Sequence, residues 1–111
     1  MPEHVHLLIW PQSESYSISK ILIGIKKPVA YRAISYLRET NPEKLHALKV
    51  EEASGKNSYH LWQPGGGYDR NICVESTVWA SIDYIHNNPV RRGLSESPDG
   101  YAWSSSAQYM D

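Results

Sequence analysis

Hydrophobic and polar positions divide the chain into a short series of segments. His4 to Trp10 is made of bulky β-forming residues and is bracketed by Pro2 and Pro11, the pattern of a strand. Alternation puts His4, His6, Leu8 and Trp10 on one face and Val5, Leu7 and Ile9 on the other. Both faces are largely apolar, as in a central strand packed on two sides. Ser13–Ser17 is a polar connector. From Ser17 onward, Ile18, Ile21, Leu22 and Ile25 recur at helical spacing, and Pro28 is expected to end or kink that helix near Lys26–Lys27. A second helix carries Val29, Ala33, Ile34 and Leu37 and closes before Asn41–Pro42.

Leu45–Glu52 and Asn57–Trp62 flank the turn residues Ser54–Gly55–Lys56–Asn57 and predict a hairpin. Gln63–Pro64–Gly65–Gly66–Gly67 is loop, and Tyr68–Val74 is expected as a short edge strand. Glu75–Ser76 offers an N-cap for a helix from Thr77 to about Asn87, with Val78, Ile82 and Ile85 inward and Pro89 as terminator. Gly93 and Pro98–Asp99–Gly100 punctuate a tail that ends in a serine run. The order β, α-α, β-β, loop, β, α, tail predicts an α+β fold. Neither a repeat nor a linker is visible, so 1–111 reads as a single domain with a modest core.

Composition narrows the class. Hydrophobic residues make up 41% and charged residues 21% of the 111 positions, as in an ordinary globular protein. The longest apolar run is far too short to span a bilayer, and no signal segment opens the chain. The single cysteine, Cys73, makes no internal disulfide and fits a reducing compartment, so a cytoplasmic protein without a membrane partner is expected. A net charge of −1 argues against a protein that coats nucleic acid nonspecifically. Local asymmetry remains: Lys20, Lys26, Lys27, Arg32 and Arg38 lie between Glu14 and Glu39 with no acid among them. Arg91–Arg92 is a second cluster. Either group serves equally as a solvated face or a phosphate-facing one.

Two constellations carry candidate chemistry. In His4-Val5-His6 the histidines project from one face of a strand, about 7 Å apart at the backbone, so their rings can converge on one cation. The same pattern also fits two histidines hydrogen-bonded in a half-exposed strand, and coordination needs a further ligand. In Asp83-Tyr84-Ile85-His86-Asn87-Asn88-Pro89, Tyr84 and Asn88 share a helix face away from Ile82 and Ile85. A phenol is a poor nucleophile unless a metal polarises its electrophile, and Asn88 can give such a metal an oxygen. Equally, Tyr84 can pack and Asn88 can cap the helix. His86 sits on the far side of the helix from Asn88 and does not join the same site.

These segments together resemble a known family. Met1-Pro2-Glu3-His4-Val5-His6-Leu7-Leu8 is similar to the HUH strand of single-tyrosine transposases related to insertion sequence 200. Trp62-Gln63-Pro64-Gly65-Gly66-Gly67-Tyr68-Asp69-Arg70-Asn71, the run from Asp83 to Leu94, and Trp103-Ser104-Ser105-Ser106 resemble the branch called REP-associated tyrosine transposases. The resemblance implies a ferredoxin-like HUH endonuclease fold, an antiparallel sheet with helices packed on it. It implies an enzyme that cuts and joins single-stranded DNA near hairpins through a 5′-phosphotyrosine, without ATP. On the matching positions Tyr84 is the nucleophile, His4, His6 and Asn88 are the metal ligands, and the cofactor is Mg²⁺ or Mn²⁺.

The remaining segments have weaker expected roles beside it. Lys20, Lys26, Lys27 and Arg32 contact DNA backbone, Arg91 and Arg92 hold a phosphate near Tyr84, and Tyr68-Asp69-Arg70 structures a loop beside the site. Trp10, Trp62 and Trp103 are expected in the core rather than as stacking platforms. The family commonly works as a homodimer. It also carries a strand–helix–strand ahead of the HUH strand, so the chain is expected to be N-terminally truncated. Two alternatives stay open: a catalytically silent remnant that binds hairpin DNA or only dimerises, and a metal-dependent phosphohydrolase using activated water.

Overall fold

In a computed structural model that describes residues 1–109, Ser17 opens a 23-residue helix, α1 (Ile18–Thr40), its side chain accepting from the Lys20 N–H. The two helices predicted here are one. The half-buried stripe of Ile18, Ile21, Leu22, Lys26, Ala30, Ala33, Ile34 and Leu37 passes Pro28 without a break in phase. Pro28 forfeits one hydrogen bond, toward Gly24, and the shared stripe outweighs it. Ile25 and Val29 turn outward instead.

Asn41 ends α1 and starts the next helix. Its N–H donates to Leu37 O at 2.8 Å, while its side-chain oxygen accepts from the Lys44 N–H at 3.0 Å. Pro42 and Glu43 then form the first turn of α2 (Pro42–Ala47), as N-terminal proline and acid favour. Leu45–Ala47, expected in a strand, is therefore helical. α2 packs on α1 and brings in Leu45, the only buried hydrophobic side chain besides Pro89 among the described residues.

The hairpin is present but shorter than predicted: β1 (Lys49–Glu51) pairs antiparallel with β2 (Asn57–Tyr59), Val50 opposite Ser58. Gly55, at φ 74°, closes the loop by donating to Glu52 O at 2.8 Å, the three-residue turn that places glycine in the left-handed region. Among the described residues, three α-helices and a two-stranded antiparallel sheet make the fold α+β. The chain forms two compact units, one of Ser13–Asp69, the other of Met1–Gln12 with the chain from Arg70 onward.

In the second of these units, residues 4–10 form no strand. Their sequence alternates as a strand's does, but a ladder needs a partner, and no described residue bonds this backbone. Val5, at 58% exposure, and Leu7, at 51%, stand in solvent. Tyr68–Val74 likewise forms no ladder with any described residue and is not a strand.

The last helix, α3 (Glu75–Arg91), starts from Val74 rather than from a Glu75–Ser76 cap, and it runs through Pro89. Its stop is Gly93. At φ 67° this glycine donates to Val90 O, while Leu94 N–H reaches Pro89 O, both at 2.9 Å. That pair of bonds is a Schellman C-cap. A short 3₁₀ turn, Ser106–Gln108, follows. No helix among the described residues is long and apolar enough to cross a membrane.

Candidate active site

Because α3 continues past Pro89, Tyr84, Asn88 and Arg92 fall at i, i+4 and i+8, along one face. Residues 3–6 lie against that face in the opposite order. Arg92 Nη2 donates to Glu3 Oε1 at 2.6 Å. The Asn88 amide stands 2.9 Å from His6 Nε2, and the His6 and Tyr84 rings meet edge to face with centroids 5.6 Å apart. His4 completes the group, its Nε2 3.1 Å from His6 Nε2 and its Nδ1 3.4 Å from Glu3 Oε1. Tyr84, Asn88, His4 and His6 thus assemble within one chain and one unit.

The hydrogen bonding of this group is over-converged. A neutral imidazole offers one lone pair at Nε2, yet His6 Nε2 has both His4 Nε2 and the Asn88 amide within hydrogen-bond distance. Rotating the carboxamide by half a turn brings its oxygen to the same place. Separations of 3.1 and 2.9 Å match neighbouring donors on an octahedral ion with bonds of about 2.1 Å. Two imidazoles and an amide oxygen therefore fit a divalent cation, Mn²⁺ better than Mg²⁺ because nitrogen donors are softer. Among the described residues no group of three or more His, Cys, Asp or Glu is placed to hold a metal ion, so a third protein donor beside the two imidazoles would have to be the Asn88 amide.

Burial lowers the His6 pKa from its ordinary value, helped by His4 and by the chain's amino terminus. These causes favour the neutral imidazole over the charged one. The Glu3 carboxyl is also held low. Its own backbone N–H is the largest cause, desolvation opposes it, and Arg92 and then His4 add to the lowering.

The surroundings divide by role. The Arg91 guanidinium lies 5.7 Å from the Tyr84 ring centroid, and Tyr84 is half exposed. Arg92, expected on phosphate, is engaged by Glu3. His86 points away, as the helix geometry required. It is buried, with Nε2 3.0 Å from Ser105 Oγ and its ring against Tyr109. It shares with His6, Ile82 and Ile85 the wall of a cavity of about 240 Å³.

Lys20, Lys26, Lys27 and Arg32 all stand on α1, in the other unit. Lys26 is tied down: Nζ donates to Gly65 O at 3.3 Å and lies over the Trp62 ring, whose Nε1 donates to Lys26 O at 2.9 Å. Lys20, Lys27 and Arg32 are exposed. Trp62 is half-buried, but Trp10 at 83% and Trp103 at 88% exposure are not core residues. No described layer covers either of them. Tyr68 is also open to solvent.

Glu3 and the pairing role of Arg92 were missed in the sequence. The available signal was spacing, since Arg92 lies eight positions after Tyr84 and just before the glycine that stops the helix. Compared with protein-family models, curated proteins and solved structures, the chain finds no match.

Proposed function

We propose that this chain is a metal-dependent tyrosine DNA transesterase, a single-tyrosine transposase of the HUH type in its REP-associated branch. The observation that carries the reading is the meeting of Tyr84 and Asn88, from one helix face, with His4 and His6. The ferredoxin-like arrangement belongs to the same proposal.

In this reading the Tyr84 oxygen attacks a phosphodiester phosphorus in single-stranded DNA. The new bond joins tyrosine to the 5′ phosphate, and the broken bond releases a 3′-hydroxyl, which takes up a proton. Attack by a second 3′-hydroxyl reverses the step, conserving the bond energy so that no nucleotide triphosphate is needed. His4, His6 and Asn88 would hold Mn²⁺ or Mg²⁺, which when bound polarises a phosphate oxygen. Arg91 places a positive charge beside Tyr84 where phosphate oxygens arrive. Lys20, Lys27 and Arg32 serve the DNA backbone. The unpaired apolar segment 4–10 favours a homodimer, which would supply the missing strand partner.

The test uses a labelled single-stranded oligonucleotide containing a hairpin, with Mn²⁺. A covalent protein–DNA adduct that disappears in Tyr84→Phe is expected. His4→Ala or His6→Ala should abolish cleavage while DNA affinity stays within about tenfold, since phosphate contacts dominate binding. Cleavage that persists in Tyr84→Phe without an adduct would indicate a phosphohydrolase. Binding without cleavage at any divalent ion would indicate a silent DNA-binding relative.

A further inference from the structure

An imidazole can serve the site described above only if its Nε2 carries a lone pair rather than a proton. Beside His4 stands a carboxylate that can arrange this. The His4 Nδ1 lies 3.4 Å from Glu3 Oε1, and the same carboxylate oxygen accepts from Arg92 Nη2 at 2.6 Å. Arg92 is fixed in turn, because it is the C-cap of α3 and its backbone N–H donates to Asn88 O and Val90 O. A relay of contacts therefore runs from the helix end through Arg92 and Glu3 to the outer nitrogen of His4. The inner nitrogen faces His6 at 3.1 Å.

We propose that Glu3 is a positioning residue, clamped by Arg92, that accepts the Nδ1 proton of His4 and turns the Nε2 lone pair toward His6 and Asn88. The proposal rests on the metal reading given above and deepens it. In the other tautomer, His4 would put an N–H between the two rings and donate it to His6 Nε2. A proton would then stand where a cation needs a lone pair. Carboxylates behind metal-binding imidazoles fix ring orientation and raise ligand basicity in just this way. The clamp also accounts for Arg92: its charge is spent on Glu3, which leaves Arg91 as the arginine beside the Tyr84 ring.

The experiment has two readouts on the full chain. Nitrogen-resolved NMR of the metal-free protein at about pH 8, where free imidazole is neutral, reports the His4 tautomer. Electron paramagnetic resonance reports Mn²⁺ affinity. The wild type and Glu3→Gln, whose amide oxygen still accepts, should hold His4 with its proton on Nδ1. Glu3→Ala should lose that preference. It should bind Mn²⁺ about 10–100-fold more weakly, while Glu3→Gln stays within about threefold. Circular dichroism shows whether Glu3→Ala remains folded; if it does not, Arg92→Ala, which releases the clamp on Glu3, should lose the Nδ1 preference, and a wild-type tautomer in that variant would overturn the proposal. A wild-type His4 protonated on Nε2, or a folded Glu3→Ala with wild-type tautomer and Mn²⁺ affinity, would overturn the proposal. A wild type that binds no Mn²⁺ would sink the metal reading alone, and the tautomer would still decide the role of Glu3.

Discussion

Asn88 and His6 are 82 positions apart, yet the Asn88 amide lies 2.9 Å from His6 Nε2. This contact fastens the histidine segment to the helix that carries Tyr84, one turn away from the phenol ring. If the amide is the third metal donor, its chemistry is replaceable by another oxygen. Asn88→Asp should therefore keep Mn²⁺ affinity or tighten it, and Asn88→Ala should weaken it by about tenfold or more. Isothermal titration calorimetry with Mn²⁺ on both variants checks this.

The His6 ring should titrate below its ordinary value of 6.5. Burial is the larger cause and the neighbouring His4 the smaller, so His4→Ala should move the midpoint only part of the way back up. The sign for stability follows. The folded protein takes up this proton less readily than the unfolded chain, so the contribution of His6 is intact above pH 6.5. It declines as pH falls from there through the lower folded value. Proton NMR of the imidazole ring, with urea melts at matching pH, measures both.

Ser105 is expected to matter for stability and not for the metal. Its hydroxyl is 3.0 Å from Nε2 of the buried His86, and Ser105→Ala leaves that nitrogen without its partner. A loss of about 1–2 kcal/mol in denaturant unfolding is expected, with Mn²⁺ affinity unchanged because His86 faces away from His4 and Asn88.

Gly55→Ala tests the hairpin. At φ 74° an added side chain is strained although it meets no neighbour. The variant should lose about 1 kcal/mol, seen as a lower urea midpoint, and the fraying should concentrate at Lys49–Tyr59 in hydrogen exchange.

What could be read from the sequence was whatever depends on near neighbours. The hairpin was legible because Ser54 and Gly55 specify the turn locally, and the shared face of Tyr84 and Asn88 follows from helical spacing alone. The proline expectations failed at Pro28 and Pro89 for one reason. A proline removes a single hydrogen bond, and whether the helix survives depends on what the rest of it contacts. At Pro28 the stripe stays in phase, and after Pro89 the Schellman bonds at Gly93 define the end. Misplacing that end hid Arg92 from the face it shares with Tyr84. Asn41–Pro42 was read as a stop when its chemistry is equally that of a start, so α2 was missed. The strand at 4–10 failed differently, because its alternation is real but a strand is a property of two segments. The Glu3–Arg92 pair joins residues far apart in sequence, and neither residue announces the other.

The most direct measurement is mass spectrometry of the protein after reaction with a hairpin-bearing single-stranded oligonucleotide and Mn²⁺. Trypsin should release the peptide spanning residues 71–91, whose one tyrosine is Tyr84. The account requires a nucleotide joined through its 5′ phosphate to that tyrosine. Cleaved DNA with this peptide unmodified, or with the nucleotide on another residue, would contradict it.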